Sequence, residues 1–492
     1  MPFLIEHVTE VVFVLFAFLL LGNLSLIGVV VIRRKRRQKF FQRLDALREQ
    51  YGPVIAGVLS GRIGYEKGLG ELRGICGSDR LFMLERLCLE NRPAPAEEPI
   101  RRRLCEDLGL VEIWQQRLAG QIDHSSLREA LINPQEFITR ARFLHFLIRS
   151  KSAENLGLIR HEPSWPLLVK ALEDPSPDLQ GVAARALAAI RHPGSFPALV
   201  KRLQKAVLEP VPVLSVRTLK SALVSFPLQC ACELVASLRH ANPRIRFIAA
   251  DVVREMVERE AGGNPDFCLD QQSGNEELAA VFLTKLAFDV NPDVRAQAAH
   301  VIGRLADPRS GPVLLGFLKD SVWFVRLHAL RSLAKPKFAS HAGRVANALT
   351  DSNWRVREAA AHALRAFGYA GLDELMARFL ATQDRYSREQ IADEFQRAGL
   401  IPQLVARCAE NGSNQETAVL SLLVEMGKTS YIISLLDLGE GNRDLRKQFL
   451  RKLGQKSARQ IPQWVQPVAL PGSDSEVRSR TLPTSPPKHG KR

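Results

Sequence analysis

One short phrase recurs in this chain at a fixed interval and limits the fold that the chain can adopt. An acidic residue is followed five positions later by an aliphatic residue, and an arginine comes directly after it. The phrase occurs at Asp289, Val294 and Arg295, at Asp320, Val325 and Arg326, and at Asp351, Val356 and Arg357. Its aliphatic residue advances by 31 positions each time. Self-similarity at this period predicts a solenoid of stacked helix pairs.

Apolar residues recur around this phrase at the spacing of a helix with one buried face. If the aliphatic residue is position zero, apolar residues return at plus four, plus five and plus eight. The same register is found in helices whose position zero is Leu179, Ile245, Val294, Val325, Val356, Ser387, Asn414 or Leu445, and more weakly near Thr139 and Val216. A shorter apolar stretch precedes each helix, and no segment here alternates with the period of two that strands require. We therefore predict an all-α fold, an α-solenoid of stacked helix pairs.

With this phrase and register, the sequence resembles the HEAT-repeat family over roughly residues 130 to 455. Repeats of that family carry an aspartate in the turn and an arginine at the start of the second helix, and these residues pair from one repeat to the next. The resemblance therefore implies a structural ladder of Asp174, Asp289, Arg295, Asp320, Arg326, Asp351 and Arg357. Glu440 also occupies the acidic position, whereas His240 and Thr382 stand at that position in two other repeats.

The N-terminal segment predicts a membrane anchor. Val11 to Ile32 form 22 consecutive positions without a charge, and a helix of that length spans about 30 Å. Basic residues follow at once, namely Arg33, Arg34, Lys35, Arg36, Arg37 and Lys39. The ten preceding residues contain no Lys or Arg, so the positive-inside rule predicts an N-terminus outside and a cytoplasmic repeat domain. A cleaved secretory signal would need a basic leading region and small residues at a cleavage site, and both are missing here.

The distribution of charge favours an anionic lipid surface over nucleic acid as the partner of the basic residues. The net charge is +16, of which residues 33–43 contribute +7 and residues 443–492 contribute +9. The repeat segment itself is therefore nearly neutral. Basic residues next to a span are attracted to anionic lipid head groups, so we expect such contacts at the juxtamembrane segment and no nucleic-acid binding.

These features divide the chain into five segments. We predict a short N-terminus and transmembrane helix over residues 1–32 and a basic juxtamembrane segment with a linking helix over 33–50. An irregular helical capping region over 51–130 precedes the HEAT-like solenoid over 131–455. The basic, Pro- and Ser-rich tail over 456–492 has little to bury and is expected to be largely disordered.

No cluster of residues predicts catalysis, a cofactor or a metal. Cys230 and Cys232 are too close together for the usual paired zinc-ligand spacing, and a second Cys or His pair is missing nearby. His300 and His362 lie two repeats apart, about 20 Å at the usual spacing of packed helices. We therefore expect a non-catalytic protein without a small-molecule substrate.

Two rows of residues are candidates for binding a partner. Aromatic residues occupy equivalent turns of adjacent repeats at Trp323, Phe324, Trp354 and Tyr386, and large aromatics often anchor interfaces. The plus-six position of each helix points away from the buried set and is occupied by Arg185, Asp251, His300, Arg331, His362 and Asp393. The HEAT resemblance would place this second row on the concave surface. Alternatively, the aromatics cover the ends of their own repeats, and the plus-six row is only a solvated face.

These observations favour a membrane-anchored cytoplasmic scaffold or adaptor that binds a protein partner. Because the scaffold itself is at the membrane, its partner could also be a membrane protein. One alternative is an enzyme similar to the bilin lyases, which also use HEAT-like repeats and would need an acid and an arginine converging in a pocket. Another is a binder of anionic lipid or nucleic acid through the solenoid, which would show strong dependence on salt.

Overall fold

The structure is a computed structural model that describes residues 2–75, 80–89, 94–121, 141–210, 214–264, 266–272, 274–397, 399–402, 404–405, 414–428, 432 and 447. All regular secondary structure in these ranges is helical, which confirms the all-α prediction. The chain forms two compact units, Met1–Leu375 and Met376–Arg492. Four features of the sequence lie outside the described residues: the tail over 456–492, Glu440, and the repeat registers that begin at Thr139 and Leu445.

The helices have the following bounds. The N-terminal region contains α1 Pro2–Leu59, α2 Tyr65–Arg73, α3 Arg80–Leu89, α4 Glu98–Asp107, α5 Leu110–Leu118 and α6 Ala141–Leu158. Next come α7 Trp165–Ala171, α8 Pro177–Ile190, α9 Phe196–Leu208, α10 Val216–Val224, α11 Val235–Leu238, α12 Pro243–Ala261 and α13 Glu276–Thr284. The remaining helices are α14 Pro292–Ile302, α15 Ser310–Phe317, α16 Trp323–Leu333, α17 Ala342–Ala346, α18 Trp354–Ala366, α19 Tyr369–Ala381, α20 Arg385–Arg397 and α21 Asn414–Leu423.

Several first helices of the repeats are shortened or replaced by 3₁₀ turns. These turns span Glu162–Ser164, Pro193–Ser195, Leu228–Leu234, Leu269–Gln271, Leu286–Phe288, Pro336–His341 and Asn347–Thr350. A π-helical turn, Val424–Lys428, follows α21. The second helices are regular, and α6, α8, α10, α12, α14, α16 and α18 pack against one another in chain order within the first unit.

Asparagine caps determine where several second helices begin. The side chains of Asn242, Asn291 and Asn353 each accept a hydrogen bond from a backbone N–H two residues later, at 2.8, 2.8 and 3.0 Å. Pro243 and Pro292 occupy the first helical position, where the missing N–H costs nothing and the fixed φ suits a helix. Asparagine caps thus start α12, α14 and α18.

The predicted apolar register forms the core of the stacked helices. In α14, Val294, Ala298, Ala299 and Ile302 are all fully buried. The equivalent residues of α8, α12, α16 and α18 are buried as well, and the small alanines allow close helix packing. The register is thus confirmed in these five helices.

In the second unit the register holds in one helix and fails in another. In α20, Ile391, Ala392 and Phe395 are buried, and the rings of Phe379 and Phe395 meet edge to face with centroids 5.5 Å apart. In α21, by contrast, Ala418 at plus four is exposed. Its neighbours Val419, Leu420 and Leu423 form the buried face, so the predicted register is wrong for α21.

Two glycines allow especially close contacts between second helices. A Cβ atom added to Gly157 in α6 would lie 2.7 Å from the Cα atom of Ala186 in α8. A Cβ atom on Gly303, at the end of α14, would lie 2.7 Å from the Cβ atom of Ser332 in α16. Real Cβ contacts are longer than this, so both helix pairs are closer than alanine would permit.

Helix α1 runs without a break across positions 32 and 50, where the sequence suggested segment boundaries. Leu44, Ile55 and Val58 near its C-terminal end are buried, and this end packs against α2, α3 and α4. Large apolar side chains between Phe16 and Ile32 are exposed. Within the described part of the chain, no helix combines the length and the hydropathy needed to cross a membrane.

Candidate functional site

The residues of the recurring phrase connect neighbouring repeats. Each arginine donates two hydrogen bonds to the aspartate of the following repeat through Nε and Nη2. The pairs are Arg246 with Asp289 at 2.6 and 2.8 Å, Arg295 with Asp320 at 2.7 and 2.9 Å, and Arg326 with Asp351 at 2.7 and 2.8 Å. These bidentate, charge-assisted pairs have the geometry that makes such bonds strong and directional. We call these three pairs the ladder.

The same residues also stabilise their own turns. Nη1 of Arg295 donates to the backbone carbonyl of Asp289 at 2.8 Å, and Arg326 and Arg357 do the same in their repeats. The Asp320 carboxylate accepts the N–H of Val322 at 2.9 Å. Burial raises the pKa of Asp320, but the bonds from Arg295 and Val322 outweigh burial and place that pKa below its ordinary value. The pKa values of Asp289 and Asp351 are lowered for the same reasons.

The ladder changes at its ends. His240 stands where aspartate is expected, and its Nδ1 accepts the N–H of Asn242 at 3.0 Å, so it keeps the turn without supplying a carboxylate. Arg357 donates to the carbonyls of Asp351 and Ser352 in its own turn. Further towards the N-terminus, Asp174 forms an ion pair with Arg149 at 2.6 Å.

In α8 a glutamine replaces the arginine of the phrase. Gln180 donates to the carbonyl of Asp174 at 2.6 Å, as the arginines do in their turns. Its side-chain oxygen accepts from Nε and Nη2 of Arg202 at 3.2 and 2.9 Å. A side-chain link between α8 and α9 is therefore present, but here the arginine that donates, Arg202, belongs to the following helix.

The aromatic candidates form a cluster at the start of two adjacent second helices. Trp323 and Trp354 are the first residues of α16 and α18. The rings of Trp323 and Phe324 meet edge to face with centroids 5.9 Å apart. The guanidinium carbon of Arg355 lies 5.5 Å from the Trp323 ring centroid and 5.4 Å from that of Trp354. We call Trp323, Phe324, Trp354 and Arg355 the aromatic edge.

The aromatic edge is accessible to solvent. Trp354 is 56% exposed, and Trp323 and Phe324 are half-buried. In the corresponding turn of the preceding repeat, Phe288 and Val290 are 74% and 93% exposed. The sequence did not single out Arg355, which directly follows Trp354 and meets the ring of Trp323 only across the repeat boundary. Tyr386 is also exposed, in the second unit.

The plus-six row is not a uniformly exposed face. Arg185, Arg331 and His362 are exposed, and Asp393 in the second unit pairs with Lys428 at 3.1 Å. Only 13% of the Asp251 side chain is exposed, however, because it forms ion pairs with Lys220 and Arg254, and His300 is half-buried. The expectation of a continuous outward row is therefore wrong for Asp251 and His300. Asp251 contacts Lys220 of α10 and Arg254 of its own helix.

His300 contacts a histidine that lies outside the plus-six row. The ring centroids of His300 and His328 are 4.5 Å apart. Burial, followed by the neighbouring His328 and Arg254, lowers the pKa of His300 to about 3, and burial together with Arg331 and Arg254 lowers that of His328 to about 4. Both rings are therefore neutral near pH 7. His328 lies three residues after position zero of its helix, whereas His300 lies at plus six. A comparison of equivalent positions therefore did not predict their contact.

A small pocket lies beside this histidine pair. Its volume is about 120 Å³, and it is lined by Arg254, Val257, Glu258, His300, Val301, Arg304, Arg331, Ser332 and Lys335. We call it the basic pocket. Among the described residues, no His, Cys, Asp and Glu side chains are grouped so that they could hold a metal ion.

The basic juxtamembrane residues lie on α1. Arg34, Lys35 and Lys39 are exposed. The side chains of Arg33, Arg36 and Arg37 lie outside the described part of the chain.

Comparisons with solved structures return matches at low identity. A structure describing Kap95p binding to RanGDP matches with 12% identity and a TM-score of 0.40, covering 85% of this chain and 61% of that one. Human deoxyhypusine hydroxylase matches with 16% identity and a TM-score of 0.22, covering 66% and 97%. The CpcE and CpcF complex of phycocyanin lyase from a Nostoc species matches with 15% identity and a TM-score of 0.21, covering 64% and 94%.

No curated protein sequence shows significant similarity to the chain. A family model described as HEAT repeats matches residues 136–212, 279–340 and 325–396. The last two ranges contain the recurring phrase, the ladder pairs from Arg295 onward and the aromatic edge. HEAT repeats are therefore detected in these three ranges.

Proposed function

We propose that this chain is a non-catalytic scaffold that binds a protein partner through the aromatic edge of its HEAT repeats. The observation that carries the proposal is the position of Arg355 over the rings of Trp323 and Trp354, which come from adjacent repeats. Trp and Arg are the residue types enriched where single side chains dominate binding energy. A cluster already assembled in the free protein loses less conformational freedom on binding.

The chemistry of the aromatic edge suggests the kind of segment it binds. Its rings offer apolar area, and Arg355 is an exposed cation without a carboxylate partner in the described part of the chain. A partner segment with an apolar side chain for the rings and an acidic side chain for Arg355 would complement both features.

We further propose that residues 11–32 anchor the scaffold in a membrane, with the repeats on the cytoplasmic side. The support is the uncharged run followed directly by basic residues. The part of this run whose side chains are described presents Phe16, Phe18 and other large apolar groups outward from α1. Arg34, Lys35 and Lys39 are exposed and available for anionic head groups.

Site-specific photo-crosslinking in cells tests partner binding. A benzophenone side chain replaces Trp354 in the full chain, and we expect it to capture a defined partner. The capture should be lost when Trp323→Ala and Arg355→Ala are added, because they remove the rest of the cluster. Leu208, exposed to the same 56% at the end of α9, provides the control position for the cross-linker. Equal capture from positions 208 and 354, or capture unaffected by the two substitutions, would contradict the proposal.

A further inference from the structure

The basic pocket lies at the C-terminal ends of three consecutive second helices. Arg254 and Glu258 come from α12, His300 and Arg304 from α14 and the residues after it, and Arg331 and Lys335 from α16 and the residues after it. Because Gly303 has no side chain, the end of α14 approaches Ser332 closely. The pocket is therefore lined by residues of three stacked helices and of the turns that follow two of them.

The positive charges of the pocket are incompletely balanced. Arg254 has carboxylate partners in Asp251 at 2.6 Å and Glu258 at 2.7 Å. Arg304 and Lys335 donate instead to backbone carbonyls, those of Asn264 at 2.7 Å and Gly303 at 2.6 Å. In the described residues, Arg304, Arg331 and Lys335 have no carboxylate partner. Of the four basic side chains that line the pocket, three therefore lack a carboxylate partner among the described residues, and the single carboxylate of the lining, Glu258, is already paired with Arg254.

The neighbouring groups reinforce this imbalance. The two imidazoles beside the pocket are neutral near pH 7, so each can donate one N–H without adding charge. Burial, together with the nearby charges of Arg304 and Lys337, lowers the pKa of Lys335 to about 7. A cation whose charged form is disfavoured in this way is stabilised when an anion arrives.

We propose that the basic pocket binds a tetrahedral oxyanion of the phosphate type, either free phosphate or the phosphate ester of a side chain. Guanidinium groups match the oxygen edges of such anions. The pocket volume of about 120 Å³ is well above the space that one water molecule needs. This inference does not depend on the aromatic edge, which lies at the opposite, N-terminal ends of α16 and α18.

Binding of the oxyanion is coupled to the protonation of Lys335. Besides the anion, the charged or titratable groups that surround this amine are Arg304, Lys337 and Cys268, and the pocket adds Arg254, Glu258, His300 and Arg331. The anion raises the pKa of Lys335 above its value of about 7 in the free protein. Affinity is therefore full below that value, and it decreases as the pH rises through it.

Calorimetric titration of the full chain in detergent micelles with sulfate tests the site. Sulfate is chosen because its charge is constant over this pH range, and chloride keeps the ionic strength equal. We expect saturable binding that weakens between about pH 6 and pH 9 because Lys335 loses its proton. Absence of saturable binding, or binding insensitive to pH, would overturn the proposal.

Variants localise the binding. Arg331→Gln removes an exposed side chain that has no ion pair in the described residues, so it should leave folding intact and weaken sulfate binding about tenfold or more. Arg185→Gln is the matched control, since it removes an exposed arginine from the same plus-six position of α8, away from the pocket. Lys335→Gln should weaken binding and abolish its pH dependence. Equal affinities of the Arg331 and Arg185 variants would exclude the pocket as the site.

Two further ligands distinguish the source of the anion. Inorganic phosphate is compared with N-acetyl-O-phosphoserine amide, and N-acetylserine amide serves as the uncharged control. Tighter binding of the phosphoserine derivative would identify a phosphorylated side chain as the ligand, and tighter or equal binding of inorganic phosphate would identify the free anion. Failure of both to bind would overturn the proposal, irrespective of the cross-linking result at the aromatic edge.

Discussion

The guanidinium of Arg295 donates two hydrogen bonds to the carboxylate of Asp320, at 2.7 and 2.9 Å, across the boundary between two repeats. Only 16% of the Arg295 side chain and 9% of the Asp320 side chain are exposed. The pair is therefore poorly screened by water, and it joins residues that are 25 positions apart in the sequence.

Asp320→Asn should destabilise the protein by about 2 kcal/mol, because it leaves Arg295 without its charged acceptor. Asparagine retains the oxygen that accepts the Val322 N–H, so the turn itself should persist. Chemical unfolding followed by circular dichroism measures the change. Asp307→Asn is the control, because Asp307 pairs with Arg309 only two residues away in an exposed loop. A control effect as large as that of Asp320→Asn would show that inter-repeat pairing is not the cause.

The ladder also predicts a loss of stability in acid. The pKa values of Asp289, Asp320 and Asp351 are lowered in the folded protein, whereas an unfolded aspartate has a pKa of about 3.9. Their contribution is therefore complete above that value, and it is lost as the pH falls through the lower folded values. Thermal unfolding from pH 7 to pH 3 should show a decrease that begins near pH 4. The decrease should be shallower for Asp320→Asn, and parallel curves for both proteins would contradict this assignment.

Gly157→Ala should destabilise the contact between α6 and α8. The new Cβ atom would lie 2.7 Å from the Cα atom of Ala186, and overpacking against backbone costs about 1–3 kcal/mol. Gly316→Ala provides the comparison, since Gly316 lies in α15 and a Cβ atom added there would have no neighbouring atom within 4 Å. That change should stabilise by about 0.4–1 kcal/mol. Melting temperatures that shift in the same direction for both variants would refute the steric explanation.

Removal of residues 1–32 should release the protein from membranes. Without the uncharged run, only the basic residues remain to hold the chain at anionic lipid, and that attraction is screened by salt. Alkaline extraction of cell membranes, followed by detection of the chain, measures the difference from the full-length protein. Leu24→Arg, which places a charge in the middle of the run, is expected to act in the same direction. Full-length protein that is extracted as readily as the truncated chain would disprove the anchor.

The fold was predictable because the repeat register depends on burial. Positions such as Ala298, Ala329 and Ala360 must be small and apolar for second helices to stack, so the period remains visible in the sequence. The register is lost in α21, where Ala418 is exposed and a π-helical turn follows.

The candidate sites were less predictable, because they depend on side chains that meet across the boundary between neighbouring repeats. Arg355 was overlooked since nothing in its own repeat distinguishes it from other surface arginines. His328 approaches His300 only because α14 and α16 are packed side by side. The hydrogen bond from Lys335 to the carbonyl of Gly303 likewise depends on the close approach of the end of α14 to Ser332 in α16.

His240, which keeps its turn but offers no carboxylate, marks the position at which the ladder begins. The three bidentate pairs join α12, α14, α16 and α18, and among the described residues no such arginine–aspartate pair precedes α12. These four helices should therefore exchange their backbone hydrogens as one cooperative block. At its N-terminal side this block is joined to α10 through the ion pairs of Lys220 with Asp251 and Glu255, so a contact of a different kind decides whether a local opening spreads past α12.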